Sequence, residues 1–198
     1  MSESIFPATA FNVSLVGVGG QGILLTSDIL ALAAMNAGYD VKKSEIHGMS
    51  QRGGSVISQV RFGEKIYSPI IPDGASDVLV SFERLEALRW LHLAKPDAKV
   101  LVNNLNLAPI TVSSGQQPPV ADEQARLAAR TGLLLLDAVS LAREAGNLRT
   151  ANVALVGALA TFTPIAKEHW QTALQTRVPS TFLAVNQKAF ELGYRAMS

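Results

Sequence analysis

The sequence predicts an α/β protein with a doubly wound, mostly parallel sheet of the Rossmann-like type and a helical C-terminal part. Two observations predict this class. Short apolar runs with strand character alternate with longer runs of helix-forming residues from Phe11 to Ala145, which is typical of βαβ units. From Asn152 onward the pattern is helical. No repeat or linker divides the chain, so we expect an N-terminal tail over residues 1–10 and a single domain over residues 11–198.

The individual elements follow from hydrophobic periodicity and from the usual start and stop signals. Gly38 marks the end of the first helix, and Gly63-Glu64 predicts a hairpin into Lys65–Tyr67, which would make part of the sheet antiparallel. Ser, Gly and Pro predict an extended excursion over 109–120. The predicted strands are 11–18, 39–44, 55–62, 77–81, 99–103 and 133–137. The predicted helices are 23–37, 83–93, 123–131, 139–145, 153–162, 166–178 and 180–197.

The composition excludes several classes of function. A formal net charge of +1, with no run of Lys and Arg, argues against a nucleic-acid-binding protein. The absence of cysteine excludes disulfides, thiolate-held iron–sulfur clusters and cysteine-based zinc sites. His47, His92 and His169 are too far apart for metal-ligand spacing, so no metal site is expected. Asp28 and Asp137 interrupt the longest apolar stretches, and no signal peptide is recognisable, so we expect a soluble cytoplasmic protein with no membrane contact.

The first candidate site is a glycine-rich turn between the first strand and the first helix. Its spacing is G-x-G-x-x-G, and the residues of interest are Gly17, Gly19, Gly20, Gln21 and Gly22. Glycines let backbone N–H groups approach a phosphate, and the following helix N-terminus carries a partial positive charge. The alternative is a tight turn that only allows close packing of helix on sheet. A P-loop is excluded, because no Gly-Lys-Ser/Thr follows.

A dinucleotide site would also need an acidic residue about 20 positions later, at the end of the second strand. That region reads Val41-Lys42-Lys43-Ser44-Glu45. Glu45 comes late, and the two lysines favour a phosphate or are simply solvated. Binding of NAD therefore remains open but is not favoured.

The second candidate site is a polar loop where the second strand should end. Its residues of interest are His47, Ser50, Gln51, Arg52 and Gly53. Arginine can bind a carboxylate or a phosphate in bidentate fashion, and histidine titrates near neutral pH. The alternative is a turn whose arginine pairs with an acid of a neighbouring subunit. One strand–helix–strand unit separates the two loops, so we expect them to meet over the same sheet edge.

Several weaker candidates lie elsewhere in the chain. Asn103 and Asn104, at a predicted strand end, are suited either to a ligand contact or to capping a turn. Asn147, Arg149 and Asn152 precede a predicted helix, for which Asn152 is a natural N-cap. We find no Ser–His–acid triad and no carboxylate pair by spacing, so no catalytic residue is predicted.

Four segments together resemble the gamma-type subunit of the 2-oxoacid:ferredoxin oxidoreductases. The segments are Gly17-Val-Gly-Gly-Gln-Gly-Ile23, Glu45-Ile-His-Gly-Met-Ser-Gln-Arg-Gly-Gly-Ser-Val56, Ser68-Pro-Ile and Glu83–Arg89. The resemblance runs from Phe11 to Gly193, which is nearly the whole chain. Within the family, the form of the second loop is most similar to the beta subunit of the indolepyruvate-type enzymes.

The resemblance implies a two-subunit enzyme for the CoA-dependent oxidative decarboxylation of an aryl 2-oxoacid, with electrons passing to ferredoxin. Thiamine diphosphate and the iron–sulfur clusters would belong to a large partner subunit, and the lack of cysteine here agrees with that. This chain would be inactive alone and would add binding surface near the active centre. Coenzyme A is the ligand it implies, with phosphate or carboxylate groups at the residues of the two loops.

Three alternatives stay open at this stage. Another family member would act on pyruvate, 2-oxoglutarate or branched-chain oxoacids. A free-standing nucleotide-binding protein would use the same glycine turn for NAD or a mononucleotide. A purely structural subunit would contact a partner and bind nothing small. The sequence leaves the oxoacid, the stoichiometry of the complex and homodimer formation by the isolated chain undetermined.

Overall fold

The computed structural model of the chain describes residues 10–47, 54–108, 110–118 and 120–198. These residues form a six-stranded sheet in the order β2-β3-β1-β4-β5-β6. The strands are β1 Phe11–Val18, β2 Asp40–His47, β3 Ser55–Gly63, β4 Ser76–Ser81, β5 Ala94–Asn103 and β6 Leu133–Leu136. The helices are α1 Ile23–Asn36, α2 Arg84–Trp90, α3 Ile110–Ser113, α4 Glu123–Ala128, α5 Ala138–Ala145, α6 Ala151–Ala160, α7 Lys167–Arg177 and α8 Ser180–Met197. Short 3-10 turns span Leu91–Leu93 and Leu148–Thr150.

The predicted fold class is confirmed. Pairs β1–β4, β4–β5 and β5–β6 are parallel, whereas β3 is antiparallel to both of its neighbours, β1 and β2. Helices cover both faces of the sheet, and the last three helices form the predicted helical C-terminal part. Of the predicted tail, residues 1–10, only Ala10 lies within the described residues.

Alternate residues of the strands point into two separate cores. Val13 and Leu15 of β1 face the larger core, which the helices α1, α5, α6, α7 and α8 complete. Val16 faces the smaller core, where Leu79 of β4 packs beneath α2 and α4 and α4 contributes Leu127. The near-continuous apolar strands of the sequence therefore reflect burial on both faces, as expected for the centre of such a sheet.

The predicted hairpin into Lys65–Tyr67 is wrong, because that segment is irregular. The antiparallel part of the sheet instead comes from β3, which inserts between β1 and β2. Side chains of β3 hold the segment that follows. The Gln59 amide bonds both backbone groups of Ile71, and Arg61 donates to the carbonyls of Ser68 and Ile70. These contacts satisfy the backbone groups that a ladder would otherwise pair.

The segment 109–120, predicted as an extended excursion, contains the short helix α3 within its described residues. The start of α6 also differs from the prediction. The helix begins at Ala151 with Thr150 at its N-cap position, so Asn152 lies inside the first turn and is not the cap. Thr150 instead donates its hydroxyl to the carbonyl of Asn147.

Candidate functional site

The two ends of the second candidate loop, His47 and Gly54, lie at the same edge of the sheet as the glycine turn, and residues 48–53 between them lie outside the described residues. Val18 at the end of β1 is opposite Ser55 at the start of β3, and His47 at the end of β2 is opposite Val56. The Gly19 N–H donates a hydrogen bond of 2.9 Å to the carbonyl of Gly54, which joins the two loops directly. The predicted site residues Ser50, Gln51, Arg52 and Gly53 lie outside the described residues.

The glycine turn is braced from within by Gln21. Its side-chain carbonyl accepts a hydrogen bond of 2.7 Å from the Val18 N–H, and its amide lies 3.4 Å from the carbonyl of Phe82. A Cβ at Gly17 would come within 2.6 Å of the Gln21 Oε1 and 2.8 Å of the Phe82 Cβ. Gly17 and Gln21 therefore fix the shape of the turn. Among the glycines predicted to approach a phosphate, the N–H of Gly19 is already used within the protein.

The N-terminus of α1 is open. Gly22 is its N-cap in the left-handed conformation, with φ of 87°, and no side chain caps the helix. Within the described chain the N–H groups from Gly22 to Leu25 donate no hydrogen bond. The first unpaired N–H groups of a helix carry its partial positive charge, so this end is suited to an anion.

A crevice of about 460 Å³ opens in front of this helix end, at the carboxyl ends of β4 and β5. One wall is the glycine turn, and the opposite wall is the start of α6 with the 3-10 turn before it. Its lining residues are Gly20, Gln21, Gly22, Phe82, Asn103, Leu105, Val139, Leu148, Arg149, Ala151, Asn152 and Leu155. A cleft at the carboxyl ends of the strands is where ligands bind in open α/β sheets.

The asparagines of this crevice have different roles. Asn103 donates its amide to the carbonyl of Phe82 at 3.1 Å and accepts from the Ala138 N–H at 3.2 Å, so it braces β5 against α5. Asn152 is only 7% exposed, yet its side chain makes no hydrogen bond within the described chain. It lies against Gly22, where a Cβ would come within 2.6 Å of its Nδ2.

A second cavity, of about 210 Å³, adjoins the crevice and shares Arg149 and Asn152 with it. Its lining residues are Leu25, Asn147, Arg149, Thr150, Asn152, Arg177, Val178, Pro179, Phe182 and Asn186. Sequence reasoning considered Arg149 and Asn152 only as weak candidates. They follow the glycine turn by more than 120 residues, and their one local signal is a short polar stretch before a helix.

The order of the strands argues against a dinucleotide site, because the strand that would carry the ribose-binding acid is not next to β1. In a Rossmann fold the second strand lies beside the first, and the acid at its end reaches the ribose. Here β3 separates β2 from β1, which moves β2 about 5 Å further out. Glu45 is part of β2 and forms an ion pair with Lys43 at 2.6 Å.

A buried polar network holds the base of the second loop. Glu86 of α2 is 3% exposed; its carboxylate accepts from the Ser55 hydroxyl and, at 3.0 Å, from the indole N–H of Trp90. Arg89 pairs with the other carboxylate oxygen at 2.5 Å. Because Ser55 begins β3, this network fixes the point at which the loop returns to the sheet.

Two carboxyl groups of the framework have shifted pKa values. Burial raises the pKa of Glu83, and the nearby carboxylates of Glu86 and Glu123 act in the same direction, against two backbone N–H groups that favour the charged form. For Asp28, burial also raises the pKa, but hydrogen bonds from Lys43 and Arg177 outweigh it and leave the pKa below its usual value. Asp28 thereby ties α1 to β2 and to α7.

No helix in the described part of the chain is long and apolar enough to cross a membrane. The same residues contain no group of three or more His, Asp or Glu placed to hold a metal ion.

Comparison with known proteins shows similarity to one family of oxidoreductases along nearly the whole chain. The family described as pyruvate ferredoxin/flavodoxin oxidoreductase matches residues 12–196. Indolepyruvate oxidoreductase subunit IorB of Thermococcus kodakarensis is 42% identical over 192 residues, which covers 94% of this chain and 95% of that protein.

Solved structures share the fold. The gamma subunit of a keto/oxoacid ferredoxin oxidoreductase from Geobacter sulfurreducens superposes with a TM-score of 0.72 at 23% identity, covering 94% of this chain and 98% of that one. The 2-oxoglutarate:ferredoxin oxidoreductase of Magnetococcus marinus, solved with 2-oxoglutarate, coenzyme A and succinyl-CoA bound, gives a TM-score of 0.74 at 21% identity. The match covers 97% of this chain but 32% of that longer one.

Proposed function

This chain belongs to the pyruvate ferredoxin/flavodoxin oxidoreductase family, and from that premise we propose that it is the non-cluster subunit of a cytoplasmic 2-oxoacid:ferredoxin oxidoreductase. Its substrate would be indolepyruvate or a related aryl 2-oxoacid. A larger partner subunit would carry thiamine diphosphate and the iron–sulfur clusters. The observation that carries this proposal is the 42% identity to an indolepyruvate oxidoreductase subunit over almost the full length of both chains.

The chemistry of the chain supports this division of labour. Iron–sulfur clusters are held mainly by cysteine thiolates, and the sequence contains no cysteine. The residues present therefore do not fit a cluster, and electron transfer belongs to the partner. In the longer M. marinus chain the region of matching fold is about a third of the total. This supports a role for the present chain as one module that docks against others.

We place a contact with coenzyme A on the edge where the two loops meet. The open N-terminus of α1 and the N–H of Gly20 are suited to a phosphate, and Arg52 can bind a phosphate or carboxylate. The role of the chain is then to bind and orient the acyl acceptor while chemistry proceeds at the partner's centre. Correct placement of a second reactant lowers the barrier by removing its freedom of motion.

The test is co-expression of this chain with the large subunit, followed by reduction of ferredoxin or viologen. We expect a stable complex, activity with indolepyruvate that depends on coenzyme A, and no activity from this chain alone. Pyruvate and 2-oxoglutarate are the comparison substrates. Failure to form a complex would refute the subunit role, whereas a preference for pyruvate would refute only the assignment of the aryl substrate.

Arg52→Ala tests the role of the second loop within that complex. We expect a raised KM for coenzyme A with an intact complex, because one charge-assisted contact is lost. Arg126→Ala, on the opposite face of the sheet, is the matched control. Equal kinetics for the two variants would limit the loop to architecture.

A further inference from the structure

One edge of the sheet is a long strand that pairs on one side only. Strand β2 is the first in the strand order, and β3 is the described strand that pairs with it. Residues 41–46 of β2 are all partly or fully exposed. The strand has eight residues, whereas β6 at the opposite edge has four. An open edge presents a row of backbone N–H and C=O groups to which another strand can pair.

The charges of β2 are balanced within the chain. Lysines on an edge strand usually keep other chains away. Here the Lys42 Nζ lies 2.8 Å from the carboxylate of Asp40. The Lys43 Nζ lies 2.5 Å from the carboxylate of Asp28 and 2.6 Å from that of Glu45. Because each lysine already has an acidic partner, two copies of this edge would not repel each other strongly.

The order of charges along β2 is complementary to itself in one register. When a strand pairs with its own copy in antiparallel fashion around a two-fold axis, opposite residues lie on the same face, so the axis passes through one residue. A register centred on Lys42, Lys43 or Glu45 would put like charges directly opposite each other, which is unfavourable. The register centred on Ser44 instead puts Lys43 of each copy opposite Glu45 of the other.

Exposed apolar side chains lie on one face beside this edge. Ile46 points to the face of the smaller core, as does its partner in β3, Ile57. Arg61 lies four residues after Ile57 and so on the same face, where it bonds the carbonyl of Ile70. Ile46, Tyr67 and Ile70 are all more than half exposed. Large apolar groups clustered at an exposed strand edge are typical of a protein contact.

The register centred on Ser44 would bring the apolar groups of two copies together. Ile46 of one copy would lie opposite Lys42 of the other, and Lys42 is itself opposite Arg61 within the sheet. Ile46 would therefore lie beside the segment that Arg61 of the other copy holds, which includes Ile70. The contact would occur twice, because a two-fold interface uses the same surface on both copies.

We propose that a second copy of this chain pairs with β2 in antiparallel fashion, centred on Ser44, so that two six-stranded sheets join into one continuous sheet. Lys43 and Glu45 of the two copies form ion pairs on the face that carries α1, and Ile46 and Ile70 lose exposure on the other face. Backbone hydrogen bonds supply affinity, and the side-chain pairs fix the register. The pairing goes beyond the proposed function and does not depend on it.

The test is sedimentation of the full-length chain, followed by cross-linking. We expect a dimer at micromolar concentration. Ser44→Cys introduces a cysteine into a chain that has none. Oxidation should then join two copies, because Cα atoms directly opposite in an antiparallel pair lie about 4.5–5.5 Å apart, within the range of a disulfide. Lys42→Cys is the control: its two copies would lie about 14 Å apart and should not cross-link. A chain that stays monomeric, or a dimer in which Ser44→Cys does not cross-link, would overturn the proposal.

Charge variants assign the contacts at the edge. Ile46→Lys places a charge opposite Lys42 and should abolish the dimer without unfolding the chain, because Ile46 is exposed. Leu135→Lys, at an exposed position on β6, should leave the dimer intact. Lys43→Glu should weaken dimerisation by about tenfold or more, and adding Glu45→Lys should restore it, because unlike charges are again opposite.

Melting temperatures establish that each variant is folded. Should Lys43→Glu fail to fold, Ile46→Lys still decides the matter. A dimer that survives Ile46→Lys, or one that Leu135→Lys dissociates instead, contradicts the proposal. An active complex with the large subunit, built from a chain that is monomeric alone, would refute the pairing and leave the proposed function standing. A cross-linked dimer that forms no such complex would do the reverse.

Discussion

Glycines serve opposite purposes in two regions of the molecule. Where α6 crosses α8, a Cβ at Gly157 would lie 2.0 Å from the carbonyl oxygen of Phe190, and one at Gly193 would lie 1.9 Å from that of Ala154. The two helices therefore touch backbone to backbone in a fully packed core. At the glycine turn before α1, in contrast, the N–H groups from Gly22 to Leu25 remain without partners in the described chain.

The difference shows that glycine content alone does not identify a binding site. In the first region the backbone of the other helix occupies the space that a Cβ would take, so the glycines allow dense packing. In the second region the side chain of Asn152 lies beside the missing Cβ of Gly22, and the N–H groups that follow stay accessible in front of an open crevice. What distinguishes the two is the satisfaction of neighbouring polar groups, which depends on the tertiary structure.

The largest expected effect comes from adding a Cβ where α6 and α8 touch. Gly193→Ala forces α8 away from α6, because the atoms in the way belong to the backbone, and we expect a loss of about 3 kcal/mol in the free energy of unfolding. Urea denaturation measures it. Gly74→Ala is the control: its φ is +70° with no atom within 4 Å of the added Cβ, so it should lose only about 1–2 kcal/mol. Equal losses would refute the packing argument.

The polar network at the base of the second loop should have the next largest effect. Glu86→Ala removes the acceptor of the Ser55 hydroxyl and of the Trp90 indole, and we expect a loss of about 2 kcal/mol because buried donors remain unpaired. Glu64→Ala, at an exposed position, should change stability by less than about 0.5 kcal/mol. If Glu86→Ala behaves like this control, the loop base is not held by the network.

Two glycines of the turn allow the cost of backbone strain to be measured separately from the cost of a steric contact. Gly20 and Gly22 both have positive φ, but only Gly22 faces a neighbour, Asn152. We expect Gly22→Ala to lose about 1 kcal/mol more than Gly20→Ala, and this excess to vanish when Asn152→Ala is added, because the side chain in the way is then shortened. An excess that persists in the double variant would mean that strain alone explains the effect.

The smallest effect concerns the ion pairs that hold α1 in place. The pKa of Asp28 is lower in the folded protein than its usual value, so its contribution to stability is present above the unfolded pKa and is lost as pH falls through the folded pKa. Asp28→Asn should cost about 0.2–1 kcal/mol at pH 7 and less as the pH falls below about 4. Thermal melts across this pH range measure the difference, with Asp97→Asn as the exposed control; parallel profiles for parent and Asp28→Asn would contradict it.

Local signals in the sequence were sufficient for most elements. The first strand and the last helix were predicted at their observed starts, Phe11 and Ser180, and Gly38 follows the end of α1 as expected. The placement of the ends of the second loop beside the glycine turn also agrees with the prediction, because motif order constrains where strand ends lie in this fold class. The insertion of β3 between β1 and β2 was not, since strand order depends on long-range pairing that no local pattern encodes.

The sequence by itself determined the fold class, the glycine turn, the polar loop and the absence of thiolate chemistry, because each depends on residue type and local spacing. Only the tertiary structure decided that Glu45 is too far from the turn, that the N–H of Gly19 is already used, and that Arg149 and Asn152 face the crevice. These facts depend on which distant residues become neighbours and which polar groups remain unpaired after packing.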